Sequence, residues 1–230
     1  MPTADNALVI LTKAPEPGQS KTRLVPPLSF DEAAELARAL LLDQLKNLAR
    51  FTAAQLFIAF TPPSATSFFE ALLPRKASCF CQRGDLLGDR MRHAFDVLFS
   101  RGFRRVLLIG GDLPPVPLET LADAVAVLEN KNSEVVLGPS LDGGYYLVGM
   151  SRLIPEIFEG ILWSQPDVLT LTTAKLVSLN GKYKLISPWY DIDTVDDLRH
   201  LECDLATAPA GFMENTLALL QKFKQRGTLI

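Results

Sequence analysis

Apolar residues along this chain follow two rhythms. Runs such as Ala7-Leu8-Val9-Ile10-Leu11 and Val106-Leu107-Leu108-Ile109 are continuous. A run that does not alternate with polar positions belongs to a strand covered on both faces. Elsewhere apolar positions recur every three or four residues. Ala33, Leu36, Ala37, Leu40, Leu41, Leu45 and Leu48 fall on one face of a long helix, and Ser29 with Glu32 supplies a capping box at its start.

The two rhythms alternate along the chain. They predict strands over 55–60 and 77–82, a short helix over 67–73, and helices over 86–100 and 118–129. Segments 134–137 and 145–148 read as strands on either side of a glycine turn. The last third is less regular, with a helix over 167–179, a strand over 183–186 and two closing helices. No long polar linker or internal repeat interrupts the pattern. The economical reading is one α/β domain over residues 1–230 with a mainly parallel sheet. In the last helix Met213, Leu217, Leu220 and Phe223 make an apolar face, expected to cover the sheet or to pair two subunits in a homodimer.

Composition narrows the function classes. The 230 residues are 48% apolar and 21% charged, enough to bury a core without disulfides or a structural metal. The three cysteines, Cys79, Cys81 and Cys203, lack paired spacing and read as reduced, buried small hydrophobes of a cytoplasmic protein. With 23 basic and 26 acidic side chains the net charge is −3, and no block of like charge is present to track a phosphate backbone, so nucleic acid is not an expected partner. Met1 to Asn6 lacks the cation of a signal peptide, and no apolar stretch reaches the length of a membrane span. Two histidines, His93 and His200, make a His-rich zinc site or a Ser-His-Asp triad a poor fit.

Ligands of open α/β sheets collect outside the carboxyl ends of strands, so the residues just after each apolar run carry the chemistry. The loop after the first strand holds Lys13, Gly18, Lys21, Thr22 and Arg23. Its three cations suit a di- or triphosphate, and a helix following such a loop would turn backbone N–H groups toward the anion. A P-loop does not fit, because Pro15 and Ser20 stand where that motif needs glycines, and no G-x-G-x-x-G follows the strand. After the second buried run comes Gly110-Gly111-Asp112, whose carboxylate is the best candidate ligand for a hard divalent cation. Asp142-Gly143-Gly144-Tyr145 is either a hairpin turn or a substrate-contacting loop. In Asp191-Ile192-Asp193-Thr194-Val195-Asp196-Asp197, Thr194 and Asp197 read as a helix cap, and Asp193 is chosen over Asp191 as the second metal ligand.

Taken together these clusters resemble the bacterial family known as domain of unknown function 2064, within the nucleotide-diphospho-sugar transferase superfamily. The resemblance runs over nearly the whole chain: Lys13-Ala14-Pro15, Gly18, Lys21-Thr22-Arg23-Leu24, Gly84-Asp85-Leu86, Gly88-Asp89-Arg90-Met91, Gly110, Asp112, Pro114, Gly138-Pro139, Asp142-Gly143-Gly144-Tyr145, Trp163 and Asp191 to Leu198. The chain departs from the family pattern at Gly111, usually serine or threonine, and at Ser164-Gln165-Pro166, usually of Gly-Thr type.

The resemblance implies a GT-A fold, a single three-layer α/β/α domain with a mixed, mainly parallel sheet. It also implies a Mg²⁺- or Mn²⁺-dependent transferase with Asp112 and Asp193 on the metal, and a nucleotide over the first loop. On this expectation Lys13, Gly18, Lys21, Thr22, Arg23 and Arg90 contact nucleotide or phosphate, and Gly143, Gly144, Tyr145 and Trp163 contact substrate. Asp112, Asp142 and Lys21 are the catalytic candidates. Two reactions stay open: glycosyl transfer from an NDP-sugar to a small acceptor, with Asp142 acting on the acceptor hydroxyl, and guanylyltransferase-like transfer from an NTP to a phosphorylated small acid. A non-catalytic nucleotide-binding module is a third reading.

Overall fold

The computed structural model describes residues 5–130, 132–209 and 211–228. The reading of the N-terminus as lacking a signal peptide therefore falls partly on residues outside the described ones. Seven strands make one sheet: β1 (Asn6–Lys13), β2 (Gln55–Thr61), β3 (Ser78–Cys81), β4 (Arg105–Gly110), β5 (Val135–Pro139), β6 (Tyr145–Met150) and β7 (Tyr183–Leu185). Their spatial order is β3-β2-β1-β4-β6-β5-β7. β6 alone runs against its neighbours β4 and β5, so the sheet is mixed and mainly parallel, as expected.

The helices are α1 (Phe30–Leu48), α2 (Thr66–Leu72), α3 (Leu87–Ser100), α4 (Leu118–Glu129), α5 (Val168–Ser178), α6 (Val195–Thr207) and α7 (Glu214–Gln225). β1 shows why its run is continuous. Leu8 and Ile10 pack on one side with α1, α2 and α4, whereas Ala7 and Val9 pack on the other with α3, α5 and a 3₁₀ turn over Pro155–Phe158. Both faces are covered, so no position on β1 needs a polar side chain to meet water. None of the described helices is long and apolar enough to cross a membrane.

Two capping boxes set the helix starts read from the sequence. The Ser29 hydroxyl accepts the Glu32 N–H while the Glu32 carboxylate accepts the Ser29 N–H, and Thr194 and Asp197 do the same for α6.

Three expectations are corrected. The first loop is followed by a short 3₁₀ turn over Thr22–Leu24, and α1 begins only at Phe30 with its own cap, so it does not aim N–H groups at that loop. The apolar face of α7 covers α1 and α6 rather than the sheet: Met213, Leu220 and Phe223 are buried with Leu36, Leu40 and Leu201. Cys203 is exposed, and Cys79 and Cys81 are only half-buried.

The docking of α7 turns on one charge. Asp43 of α1 is buried, and its two oxygens accept four hydrogen bonds: the backbone N–H and side-chain amide of Asn215, and the backbone N–H and hydroxyl of Thr216. A buried carboxylate used this fully caps α7 and pins it to α1 at once. Asp43→Ala strands those donors and is expected to lower stability by about 2–4 kcal/mol in urea unfolding; a loss below about 1 kcal/mol would show that α7 docks without it.

Candidate active site at the carboxyl edge of the sheet

The carboxyl ends of β1, β4 and β5 and the start of β6 surround a cavity of about 270 Å³. Its acidic side carries Asp112, Asp142, Asp191 and Asp193, with Ser140 between them. Its apolar side includes Leu87, Met91, Leu108, Val148, Tyr145 and Trp163.

The acidic side is built by a segment that follows β7. Trp189 donates its backbone N–H to Pro139 O, and Leu141 N donates back to Trp189 O, which extends the β5 edge, sets Ser140 opposite Trp189 and leaves its hydroxyl within reach of Asp191. On its other side the same segment ties to the loop after β4: the Trp189 indole N–H donates to Pro114 O over 3.1 Å, and Ile192 N donates to Asp112 O over 3.2 Å. Residues 189–193 thus strap the β4 loop to the β5 loop. That is how Asp193, distant in sequence, comes to Asp112.

Lys21 completes the arrangement. Its side chain is 1% exposed, with Nζ 3.3 Å from Asp112 Oδ1 and 3.2 Å from Asp193 Oδ1, and it also donates to Asp112 O. One buried ammonium therefore joins three separate segments. A lone buried ammonium would be costly, and two carboxylates with a carbonyl are what make it tenable. The backbone of Lys21 is left-handed, with φ 50°, an unfavourable conformation for a residue with a Cβ. Upstream, Gly18 takes φ 76°, and the buried Ser20 hydroxyl donates to Ala14 O and accepts Glu16 N–H, so the loop is closed on itself. The N–H groups of Gln19 and Ser20 go to Glu16 O, which leaves them unable to cradle an anion in this conformation.

Asp191 is a half-buried acid of the group. The Ser140 hydroxyl donates to it. Burial pushes its carboxyl from 3.8 up to about 6; the Ser140 hydrogen bond opposes that shift, while the charges of Asp142 and Asp193 add to it. Asp142 is exposed and turns one oxygen back to the Gly144 N–H, 2.9 Å away. The Asp-Gly-Gly segment is therefore a hairpin turn and part of the cavity wall together, since Asp142 and Gly144 both line it. Gly143, at φ 90°, admits no side chain, because an added Cβ would lie 2.0 Å from Pro166 O.

Of the predicted site residues, Asp112, Asp142, Gly144, Tyr145, Trp163 and Asp193 meet at the cavity, and Lys21 meets the carboxylates from behind. Arg23 is exposed, with Nη1 3.7 Å from Asp193 Oδ2. Lys13 is exposed at the end of β1, and Gly18 and Thr22 are exposed beyond it. Arg90 stands apart: its guanidinium donates to Gly84 O and Asp85 O and holds the start of α3. Tyr145 and Trp163 pack edge to face at 6.4 Å, and burial holds the Tyr145 phenol well above its ordinary value. Ser140, Ser164 and Gln165 also line the cavity although they were not among the expected site residues, and the closeness of Thr12, whose hydroxyl fills the space a Cβ on Gly111 would need, carried no sequence signal.

The Asp191 carboxyl has a folded-state pKa above its unfolded one, so the folded chain binds the extra proton between pH 3.8 and about 6. Stability from this group is present at low pH and is lost as pH rises through that window. In urea unfolding with EDTA, Asp191→Asn should therefore improve stability relative to the unsubstituted chain by on the order of 2 kcal/mol more at pH 7 than at pH 4. An equal difference at both pH values would remove the burial argument.

Comparison with known proteins agrees with this geometry. A family model described as "Uncharacterized protein conserved in bacteria (DUF2064)" matches residues 44–165. A crystal structure from Desulfovibrio desulfuricans G20, provisionally named a nucleotide-diphospho-sugar transferase, is 33% identical, with a TM-score of 0.87, over 99% of this chain and 100% of that one. A cytidylyltransferase from Leptospira borgpetersenii serovar Hardjo-bovis shares the fold at 13% identity and a TM-score of 0.61, over 98% and 96% of the two chains. A 4-diphosphocytidyl-2C-methyl-D-erythritol synthase from Anaerococcus prevotii does so at 12% and 0.59, over 88% and 97%. No curated protein matches. The chain has the nucleotide-diphospho-sugar transferase-like fold and belongs to the DUF2064 family.

Proposed function

We propose that the protein is a divalent-metal-dependent transferase that moves a glycosyl group from an NDP-sugar to a small acceptor. The observation that carries this is the contact of Lys21 with both Asp112 and Asp193 at the rim of the cavity. Two carboxylates sharing one positive charge form a site for cationic charge, and their side chains remain 51% and 44% exposed. Among the described residues no group of three or more His, Cys, Asp or Glu side chains forms a full metal cage. Mg²⁺ does not need one, since it binds through one or two carboxylates and completes its shell with phosphate oxygens and water. Asp112 and Asp193 would hold Mg²⁺ or Mn²⁺, which supplies neutralisation of the charge that builds on the departing diphosphate.

The chain's own residues do the rest. Arg23, exposed beside Asp193, would bind diphosphate oxygens, and so would Lys13 at the exposed end of β1. In the transfer, the acceptor hydroxyl oxygen bonds to the sugar's anomeric carbon, the bond from that carbon to the diphosphate breaks, and its electron pair leaves with the diphosphate. The hydroxyl proton passes to the Asp142 carboxylate at the cavity wall. Nucleotidyl transfer from an NTP is the second reading, favoured by the fold shared with cytidylyltransferases. Against it, Lys21 is committed to carboxylates, and the two remaining loop cations suit a diphosphate better than a triphosphate.

A thermal-shift panel of NDP-sugars and NTPs, each with and without Mg²⁺ or Mn²⁺, tests the reading. A ligand at a hundred times its dissociation constant adds about 2.7 kcal/mol, which for a chain of this length raises Tm by roughly 5–10 °C. A metal-dependent shift with an NDP-sugar supports glycosyl transfer, and one confined to an NTP moves the assignment to nucleotidyl transfer. No shift at all would leave a non-catalytic module. Asp112→Asn should lower the unliganded Tm by several degrees, because the buried Lys21 ammonium loses one of its two acids, and should lose the metal-dependent shift while the chain still folds; a retained shift would sink the metal assignment.

A further inference from the structure

The cavity has an uneven charge. Asp112, Asp142, Asp191 and Asp193 all line it, and among the described residues no lysine or arginine does. The cations that touch the site, Lys21 and Arg23, sit against Asp112 and Asp193, and a metal held by those two would add its charge at the same place. Among the described residues Asp142 and Asp191 have no cationic partner within salt-bridge distance, so the part of the cavity that they face stays negative. Low-dielectric walls concentrate such a potential instead of letting solvent screen it.

The opposite wall is apolar. Tyr145 and Trp163 meet edge to face, with Leu87, Met91 and Val148 beside them. Leu86, Leu141 and Leu162, chain neighbours of the lining residues Leu87, Asp142 and Trp163, are exposed at 62%, 71% and 76%. Exposed leucines therefore neighbour lining residues in the chain on both the apolar and the acidic sides of the cavity. A ligand matching both sides offers an apolar face to the aromatics and no negative charge to the acids.

We propose that the acceptor carries no phosphate or carboxylate, and is a neutral or cationic hydroxyl compound that lays an apolar face on Tyr145 and Trp163. This rests on the transferase reading for the word acceptor, whereas the charge preference belongs to the cavity itself. A phosphorylated small acid would bring its charge against Asp142 and Asp191. A cationic group would gain from those acids and from the faces of the aromatic rings.

Calorimetric titration of the full chain in EDTA, without nucleotide, reads the preference on three probes of similar size: benzyl alcohol, benzyltrimethylammonium and benzoate. The expected order is benzyltrimethylammonium tightest, benzyl alcohol next, and benzoate weaker than the cation by about tenfold or more. Benzoate binding as well as the cation, or no binding by any probe, overturns the proposal. Asp142→Asn keeps the oxygen that accepts the Gly144 N–H and removes the charge. It should narrow the ratio of cation to anion affinity by at least about threefold, and an unchanged ratio would show that the probes bind outside this cavity and overturn the proposal. Because neither metal nor nucleotide is present, failure of the donor panel and failure of this charge preference are read separately.

Discussion

A buried ammonium must be surrounded by negative charge, and in this protein that requirement draws the site together. Lys21 follows the first strand, Asp112 the fourth, and Asp193 the seventh. The cost of burying Nζ falls only when both acids arrive. The same contact accounts for the left-handed backbone at Lys21: a conformation that a lysine adopts at a cost is kept where its side chain has fixed partners. The three segments are thus held in one arrangement before any ligand binds, with two carboxylates still open to solvent.

The strap over residues 189–193 turns sheet topology into site geometry. β6 is inserted antiparallel between β4 and β5, so the carboxyl ends of β4 and β5 are separated by one strand and leave a gap above the start of β6. The strap closes that gap on one side by backbone pairing with residues 139–141 and by hydrogen bonds to Asp112 O and Pro114 O. The apolar wall formed by α3, Tyr145 and Trp163 closes the other. One side of the cavity is therefore acidic and the other aromatic.

Much of this was legible in the chain. Continuous apolar runs marked strands covered on both faces, because a strand with helices on both sides meets no water. Helical spacing and the Ser-x-x-Glu and Thr-x-x-Asp boxes marked helix starts to within a residue or two. Asp112 stood out because it ends a buried strand among small residues. Asp193 stood out only as one carboxylate of four, and its pairing with Asp112 through Lys21 needed the strap. Two residues read as equivalent cations to Lys21, Lys13 and Arg23, remain exposed. Nothing in their identity separated the lysine that is buried from the one that is not, since burial depends on how the loop closes through Ser20.

Local patterns of the sequence determined what each segment would be: strand or helix, where helices are capped, and which carboxylates stand at strand ends. Those properties depend on neighbours three or four residues away, and on whether a face needs to avoid water. Which carboxylates share one charge, which acid is held against Ser140, and the absence of lysine and arginine from the cavity lining among the described residues were decided only by the tertiary structure. They depend on distances between segments 51 to 172 residues apart, fixed by strand order and by backbone hydrogen bonds that no local pattern encodes.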